Sequence, residues 1–363
     1  MSTLLSSARC VPIAPAAVWV GPGVWAQLGE ATGRRTLVVT GEHAWAQARE
    51  ELEAALRARG VEWDVYCYPS DCTVESADEA ALRARGCDTI VGVGGGKALD
   101  LAKLAADQAD LPAVTVPTSA ATCAAWTALG NFYTTEGAFR FGRTLSRPPV
   151  AVLVDTRAIA RAPARLLASG LADALAKWYE TASSVDYDVA DASTRTAWTL
   201  ACHIKDEILA WGHEAVSDCL AGRFTPNVER AIETAVCHAG MVGGVGGERC
   251  RSVAAHAIHN ALTTMPGTKR SWHGEKVGFG IVGQLMLEEQ HAEAEAIATF
   301  LRRLRLPVTL AELGFAFDDA QLESVVAHVC RPESTAHHLP FPLTPQRVLA
   351  ALLAADRLGR DLS

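Results

Sequence analysis

The feature that most constrains the fold is an alternation of short β-branched runs with amphipathic segments in the first part of the chain. Residues 37–40 and 89–93 are such runs, and each precedes a segment with helical periodicity. Unbroken apolar strands indicate burial on both faces, as in parallel sheets covered by helices. Further strands are predicted near 18–20, 62–68, 113–116 and 150–155, and helices near 43–59 and 75–85. The pattern predicts a doubly wound α/β domain.

After Asp155 the hydrophobic period changes to 3.6 and stays there. Helices are predicted over 163–183, 186–212, 226–241, 252–263, 273–290, 291–305 and 343–357. A chain of 363 residues exceeds the size at which a single core usually keeps growing. We therefore predict two domains, an α/β domain over residues 1–157 and an all-α domain over residues 158–363.

Composition excludes several classes of protein. The net charge of −8 is spread along the chain without a basic block, so nucleic acid is not an expected partner. The N-terminus lacks the features of a signal peptide, and no apolar run is long enough to span a membrane, so we expect a cytoplasmic protein. The ten cysteines form no C-x-x-C pair, which favours reduced thiols over a disulfide framework.

A glycine loop follows the predicted strand at 89–93 and precedes a helix. Gly94, Gly95 and Gly96 allow close approach of a ligand to the backbone, and a helix N-terminus favours phosphate. The loop matches neither the G-x-G-x-x-G nor the Walker A pattern, so a simple tight turn is the alternative. Its place at the end of a central parallel strand favours a dinucleotide, with Lys97 and Asp100 as further contacts.

A second loop, residues 116–127, follows the next predicted strand and is rich in hydroxyl groups. Thr118, Ser119, Thr122 and Thr127 could hydrogen-bond a nicotinamide carboxamide and ribose. Capping of a helix N-terminus by Thr118 or Ser119 is the alternative explanation. Both explanations stay open at this point.

The end of the strand at 35–40 bears on the choice of coenzyme. An acidic residue often binds the adenosine 2′-hydroxyl of NAD at this position, but here it is Gly41, followed by Glu42. Loss of the carboxylate would remove its repulsion of a 2′-phosphate. The cofactor is therefore expected to be NAD or NADP.

Three histidines and one aspartate suggest a metal site. His256 and His259 share a helical face, and a turn rich in Gly and Pro can bring His273 back toward them. Asp173 lies among apolar residues, where an unpaired carboxylate would be costly. One carboxylate and two imidazoles with an open position are typical of catalytic Zn²⁺, and Fe²⁺ is the alternative. Taken singly, each of these residues could instead be structural.

Five segments together resemble the iron-containing alcohol dehydrogenase superfamily, specifically its glycerol-dehydrogenase-like branch. They are Gly-Gly-Gly-Lys-Ala-Leu-Asp-Leu-Ala-Lys (94–103), Val-Pro-Thr (116–118), Ala-Pro-Ala-Arg-Leu-Leu-Ala-Ser-Gly-Leu-Ala-Asp-Ala-Leu-Ala (162–176), Ala-Ala-His-Ala-Ile-His-Asn (254–260) and His-Gly-Glu-Lys-Val (273–277). The resemblance implies an active site between a nucleotide-binding domain and a helical domain. It also implies reversible hydride transfer to NAD(P), a homo-oligomer, and a small-molecule substrate.

The resemblance also implies roles for individual residues. Asp173, His256 and His273 would be the metal ligands, and His259 would orient the cofactor or relay a proton. Lys177 stands where members with a fourth ligand have a histidine, which favours three ligands and Zn over Fe.

Two departures from the glycerol dehydrogenases bear on the substrate. Their aspartate near the polyol is replaced here by the segment Thr122-Cys123-Ala124, and two arginines, Arg249 and Arg251, precede the histidine motif. Arginine suits capture of a carboxylate, although pairing with Glu248 would also explain it. Further segments, including the one that contains Trp126, resemble hydroxycarboxylate dehydrogenases.

We therefore predict a small 2-hydroxy or 2-oxo acid substrate, contacted by Cys123, Trp126, Arg249 and Arg251. The alternatives are a glycerol or other polyol dehydrogenase, a dehydroquinate-synthase-like lyase, and a metal- or nucleotide-binding protein without turnover.

Overall fold

A computed structural model describes residues 13–69, 71–316 and 318–362. The strands are β1 (Ala17–Gly21), β2 (Arg35–Thr40), β3 (Glu62–Cys67), β4 (Thr89–Gly94), β5 (Ala113–Pro117), β6 (Leu129–Tyr133), β7 (Phe139–Thr144) and β8 (Ala151–Asp155). Among the described residues, six strands form one parallel sheet in the order β1-β8-β5-β4-β2-β3. The predicted α/β sheet is therefore confirmed.

Helices cover both faces of this sheet. They are α1 (Leu28–Ala31), α2 (Glu42–Ala58), α3 (Val74–Arg83) and α4 (Gly96–Ala109). Side chains of β2 alternate between the faces: Leu37 and Val39 pack in one core cluster with residues of α3 and α4, and Val38 packs in the other with residues of α2. The unbroken apolar run of β2 is thus explained by burial on two sides.

The order of the strands creates a crevice at the carboxyl edge of the sheet. From β2 the chain passes outward to β3, then returns to β4 on the other side of β2 and continues to β5. Neighbouring loops therefore diverge between β2 and β4, which is where open α/β sheets bind ligands. The glycine loop lies directly at this point, after β4.

An antiparallel hairpin, β6–β7, was not predicted from the sequence. Its outer strand β7 is mostly exposed, so it lacks the buried alternation that identifies a strand. The hairpin is linked to the helical half, because the Phe139 amide donates to Thr263 Oγ1 at 3.0 Å. Tertiary contacts thus connect the hairpin to the helical half as well as to α4.

The second half is helical, as predicted. Its helices are α5 (Thr156–Ala160), α6 (Ala164–Ser184), α7 (Ala192–Leu220), α8 (Pro226–Glu233), α9 (Ala239–Gly246), α10 (Ala254–Thr263), α11 (His273–Leu287), α12 (His291–Arg303), α13 (Asp319–Val329) and α14 (Pro345–Asp361). A π-helical segment, Thr234–His238, joins α8 and α9 without a break.

One predicted helix needs correction, and one helix was not predicted. The helix predicted over 186–212 begins only at Ala192, because Asp191 accepts a hydrogen bond from the Thr194 amide and caps it, and it continues to Leu220. The helix α13 was not predicted. Its buried residues recur with helical spacing, so the signal was present in the sequence: Leu322, Val325, Val326 and Val329.

The last strand of the sheet ends at Asp155, and the first long helix of the second half begins at Ala164. The proposed division between residues 157 and 158 stays a prediction. Within the described part of the chain, no helix is both long and apolar enough to cross a membrane. The nine cysteines in that part are free thiols, and Cys10 lies outside the described residues.

Candidate active site

The glycine loop forms an open cradle at the N-terminus of α4. Gly94 has φ of 144°, a backbone conformation that favours glycine, and an added Cβ there would lie 2.8 Å from Ala98 Cβ. Gly95 is the N-cap residue of α4, and no side chain caps the backbone N–H groups of the first turn. These features fit the diphosphate of a dinucleotide.

The second loop packs directly against the glycine loop. The Thr118 amide donates to Gly94 O at 3.0 Å, and a Cβ added to Gly95 would lie 3.6 Å from Ser119 Oγ. At Gly96 an added Cβ would lie 2.9 Å from Thr122 Oγ1. The two loops predicted to bind the cofactor are therefore adjacent.

A cavity of about 480 Å³ runs from these loops into the helical half. Gly96 and Thr122 lie at its cofactor end, and Asp173, His256 and His273 lie in its wall on the helical side. We call this space the central cavity. Its volume suits a small organic ligand.

Asp173 on α6, His256 on α10 and His273 on α11 converge as the resemblance implied. The Nε2 atoms of His256 and His273 lie 3.2 and 3.4 Å from the same oxygen, Asp173 Oδ1. One ligand atom from each residue lies within 4.8 Å of the others. A metal ion needs a cluster of His, Cys, Asp or Glu side chains. Among the described residues, these three side chains form such a cluster.

Small residues let the three helices approach closely enough to form this triad. Gly274, next to His273, contacts α6 so tightly that an added Cβ would lie 1.8 Å from Ser169 O. At Gly280 an added Cβ would lie 2.3 Å from Ala255 O of α10. Any larger side chain at either position would separate the helices that carry the ligands.

Glu180, which no sequence motif indicated, orients His256. This carboxylate is fully buried and accepts from the Val253 amide at 2.7 Å, the His256 amide at 2.9 Å and His256 Nδ1 at 2.7 Å. With Nδ1–H directed at Glu180, the Nε2 lone pair of a neutral His256 faces Asp173 Oδ1. A cation between these two acceptors satisfies both, so the residues present fit a metal ion. The signal available in the sequence was an acid two helical turns after Asp173.

The charges and the burial around the triad shift the pKa values of all three ligands. Burial alone would raise the pKa of Asp173, but Lys177, His273 and His256 hold it well below its usual value. Burial lowers the pKa of His273. At His256 burial is outweighed by Glu180 and Asp173, which raise its pKa, so a proton competes with a metal for its Nε2 in acid.

Two cations, Lys177 and Arg251, line the central cavity. Lys177 is buried, with its ammonium 3.5 Å from Asp173 Oδ1. The Arg251 side chain passes close to Gly243, because a Cβ added to Gly243 would lie 3.5 Å from Arg251 Cδ. Burial lowers the pKa of Arg251. Cys123 also lines the cavity, and burial raises the pKa of its thiol to about 11, so it is a neutral thiol.

Two of the predicted substrate contacts do not line the central cavity. Trp126 is buried in the helical core, where a Cβ at Gly240 would lie 2.3 Å from its own Cβ. Arg249 is exposed and donates to Ser184 O on the outside of the cavity wall. The structure therefore does not bring Trp126 and Arg249 to the cavity, because the indole is packed in the core and the Arg249 side chain is exposed.

His259 lies behind the triad. It is buried, its ring centroid lies 4.2 Å from that of His273, and burial followed by the charge of His273 lowers its pKa well below the usual value. Its Nδ1 is 2.9 Å from Asn260 Oδ1. In this structure it supports the ring of His273, and the cavity wall is formed instead by Asn260. Its predicted role toward the cofactor stays a proposal.

The remaining predicted cofactor contacts have partners within the protein. Asp100 lines the cavity but is buried in an ion pair with Lys103. Lys97 pairs with Asp71 beside the glycine loop. Gly41 precedes α2 at the crevice, and a Cβ there would lie 3.6 Å from the Tyr68 hydroxyl.

Residues 15–156 match the family model described as iron-containing alcohol dehydrogenase. A glycerol dehydrogenase from Pseudomonas putida is 37% identical over 89% of this chain and 90% of that protein. Hydroxycarboxylate dehydrogenase A from Escherichia coli strain K12 is 35% identical over 87% of this chain and 88% of that protein. The crystal structure of a probable glycerol dehydrogenase from Sinorhizobium meliloti 1021 has a TM-score of 0.89 at 32% identity, covering 98% of this chain and 100% of that chain. These matches confirm the resemblance inferred from the motifs.

Proposed function

The chain belongs to the iron-containing alcohol dehydrogenase family, and we propose that it is a metal-dependent, NAD-linked dehydrogenase of a small polyol such as glycerol. The observation that carries the proposal is the central cavity, which joins the glycine loop to the triad of Asp173, His256 and His273. The glycerol dehydrogenases among the relatives favour a polyol over the 2-hydroxy acid predicted from the sequence.

A nicotinamide dinucleotide at the glycine loop would carry the hydride, and a divalent cation held by Asp173, His256 and His273 would stabilise negative charge on the substrate oxygen. The chain itself supplies the remaining parts of the site. Thr127, Asn131 and Asn260 line the cavity and can hydrogen-bond the hydroxyl groups of a polyol. Three protein ligands, with Lys177 in place of a fourth, support Zn²⁺ over Fe²⁺.

A second candidate substrate, a small 2-hydroxy acid, is favoured by Lys177 and Arg251. Lys177 pairs with Asp173, and Arg251 lies in the field of Glu248, which also lines the cavity. A bound divalent cation would add two positive charges to this wall, which a carboxylate and a developing alkoxide would neutralise. Among the described residues, the Arg251 side chain has no ion-pair partner within 4.0 Å.

A dehydroquinate-synthase-like lyase reaction and metal or nucleotide binding without turnover have less support. The relatives above are named dehydrogenases, which favours turnover with net redox change.

The experiment is a screen of purified protein loaded with Zn²⁺ or Fe²⁺. Reduction of NAD⁺ and NADP⁺ is followed by absorbance with glycerol and with lactate, and the reverse reaction with dihydroxyacetone and pyruvate. Turnover of glycerol supports the main proposal, whereas turnover of lactate and pyruvate alone supports the second candidate. Activity that survives chelation without loss would contradict both.

A matched pair of variants separates the two substrates. Arg251→Met should raise KM for the 2-oxo acid by about tenfold or more, because a charge-assisted contact is lost, and should have little effect on glycerol. Arg249→Met, outside the cavity, is the control and should change neither. Equal effects of Arg251→Met on both substrates would exclude a carboxylate subsite.

A further inference from the structure

Lys103 on α4 is fully enclosed by protein, which is unusual for a lysine. Its ammonium donates to Ala124 O at 2.6 Å, to Thr127 O at 3.0 Å and to Leu129 O, and it pairs with Asp100 Oδ1 at 2.9 Å. All three N–H donors are used within the protein. Lys103 therefore has no donor left for substrate or cofactor.

The segment that Lys103 holds forms a wall of the central cavity. Cys123 and Thr127 of the second loop line the cavity, as do Leu129 and Asn131 of β6. Asp100 Oδ2 extends the attachment, because it accepts from the Asn131 amide at 3.2 Å. Lys103 thus contacts the wall at residues 124–129, and Asp100 contacts it at Asn131.

The second loop needs such an anchor. Between residues 118 and 127 the loop has no regular secondary structure. The backbone amides of Thr118 and Trp126 donate to backbone carbonyls. Carbonyls that face the interior would be costly without partners. With the carbonyls directed toward Lys103, the Cys123 and Thr127 side chains are left facing the cavity.

The same helix also begins at the glycine loop. Gly96, its first residue, lies next to Thr122 of the second loop, and Lys103 follows two turns later. One rigid helix therefore contacts both the expected dinucleotide position and the wall expected to face the substrate.

We propose that Lys103, together with Asp100, is a positioning residue that holds the substrate-facing wall of the cavity at a set distance from the dinucleotide. It acts through the backbone of residues 124–131 and touches neither reactant. This inference rests on the dehydrogenase function proposed above. A role in folding alone is the competing explanation, and the test is designed to separate the two.

The test compares Lys103→Met with the double variant Asp100→Asn/Lys103→Met, which removes both buried charges and preserves volume, so that loss of a counterion cannot explain the result. Wild-type turnover is measured first with glycerol and with lactate, and the better substrate is used afterwards. We expect KM for that alcohol to rise about tenfold to a hundredfold in both variants. The dissociation constant for NADH, followed by its fluorescence, should rise less than KM, because Lys103 contacts residues 124–129 and not the glycine loop. The Zn²⁺ content should stay within about twofold of the wild type, since no metal ligand contacts Lys103.

Two controls address a folding role. Leu52→Ala, on the buried face of α2, lowers stability at a place outside the cavity and should leave KM unchanged. Lys103→Arg keeps donors for the same carbonyls and should recover part of the KM. An unchanged KM, or a rise in KM matched by an equal loss of NADH affinity, would overturn the proposal. Absence of wild-type turnover with both alcohols would instead count against the proposed function.

Discussion

At the scale of single residues, Glu180 shows how a side chain outside the metal triad can control it. Its carboxylate accepts the Nδ1–H of His256 and so presents the Nε2 lone pair to a metal. A glutamine has a donating amide nitrogen in place of one carboxylate oxygen, and this nitrogen cannot accept the Nδ1–H of His256. The Nδ1–H tautomer of His256 would therefore no longer be held. We expect Glu180→Gln to weaken Zn²⁺ binding about 10- to 100-fold, measured by competition with a chromogenic chelator.

Glu293→Gln is the control for this prediction. Glu293 also accepts a short hydrogen bond, from the Tyr179 hydroxyl at 2.6 Å, but it lies on α12 and outside the triad. Its substitution should leave Zn²⁺ affinity unchanged. Equal affinities of Glu180→Gln and the wild type would show that Glu180 does not orient His256.

Lys276 should make stability depend on pH. Burial lowers its pKa from 10.5 to about 8, and its ammonium donates to Ser271 O. Between these two pH values the unfolded chain binds the proton that the folded protein has released. The free energy of unfolding therefore rises with pH in this window, by at most about 1.4 kcal/mol per pH unit.

Denaturant unfolding at several pH values from about 7 to 10 measures this effect. The unfolding free energy of the wild type minus that of Lys276→Met should become more positive as pH rises through the window. Lys269→Met, on the exposed turn before Ser271, is the control variant. A difference for Lys276→Met that stays flat or falls with pH would contradict the assignment.

At the scale of elements, α6 supports the second loop through a glycine. An added Cβ at Gly170 would lie 1.7 Å from Ala120 O, a backbone atom that cannot move without the loop. Gly170→Ala should therefore destabilise the protein by roughly 1–3 kcal/mol and raise KM. Thermal unfolding and steady-state kinetics measure the two effects.

Gly212→Ala provides the matched control on another buried helix. Its added Cβ would meet side chains at 3.4 Å or more, which is ordinary van der Waals contact. Relief of the glycine entropy cost should stabilise the protein by up to about 1 kcal/mol, with no change in KM. Similar losses in both variants would mean that helix packing in general, and not the loop contact, is responsible.

At the scale of the complete chain, the triad draws on three helices that are distant in sequence, α6, α10 and α11. A metal bound there stabilises only the folded chain, because the unfolded chain does not bring these ligands together. We expect Zn²⁺ to raise the melting temperature, and chelation to lower it. At a free metal concentration of one hundred times Kd the gain is about 2.7 kcal/mol.

His273→Ala should abolish this metal-dependent shift, as measured by scanning calorimetry with and without Zn²⁺. His291→Ala is the control, since His291 is exposed at the start of α12. Retention of the full shift in His273→Ala would place the metal elsewhere. The homo-oligomer expected from the family resemblance stays a prediction.

Features that depend on local pattern could be predicted from the amino-acid sequence. The parallel sheet, the glycine loop and the helical second half follow from periodicity and from the conformational freedom of glycine, both of which act over a few residues. The motifs also identified Asp173, His256 and His273 through family resemblance. The hairpin was missed because its strand β7 is mostly exposed. The start of α7 was missed because Asp186, Asp188 and Asp191 could each cap a helix.

Which polar groups meet became clear only from the three-dimensional arrangement of the chain. Packing directs Arg251 into the cavity and Arg249 away from it, buries Trp126, and brings Glu180 to His256 and Lys103 to the carbonyls of the second loop. These contacts join residues far apart in the chain, and no periodicity encodes them. Their energies depend on burial and on the direction of each donor, which the packing of helices against the sheet determines.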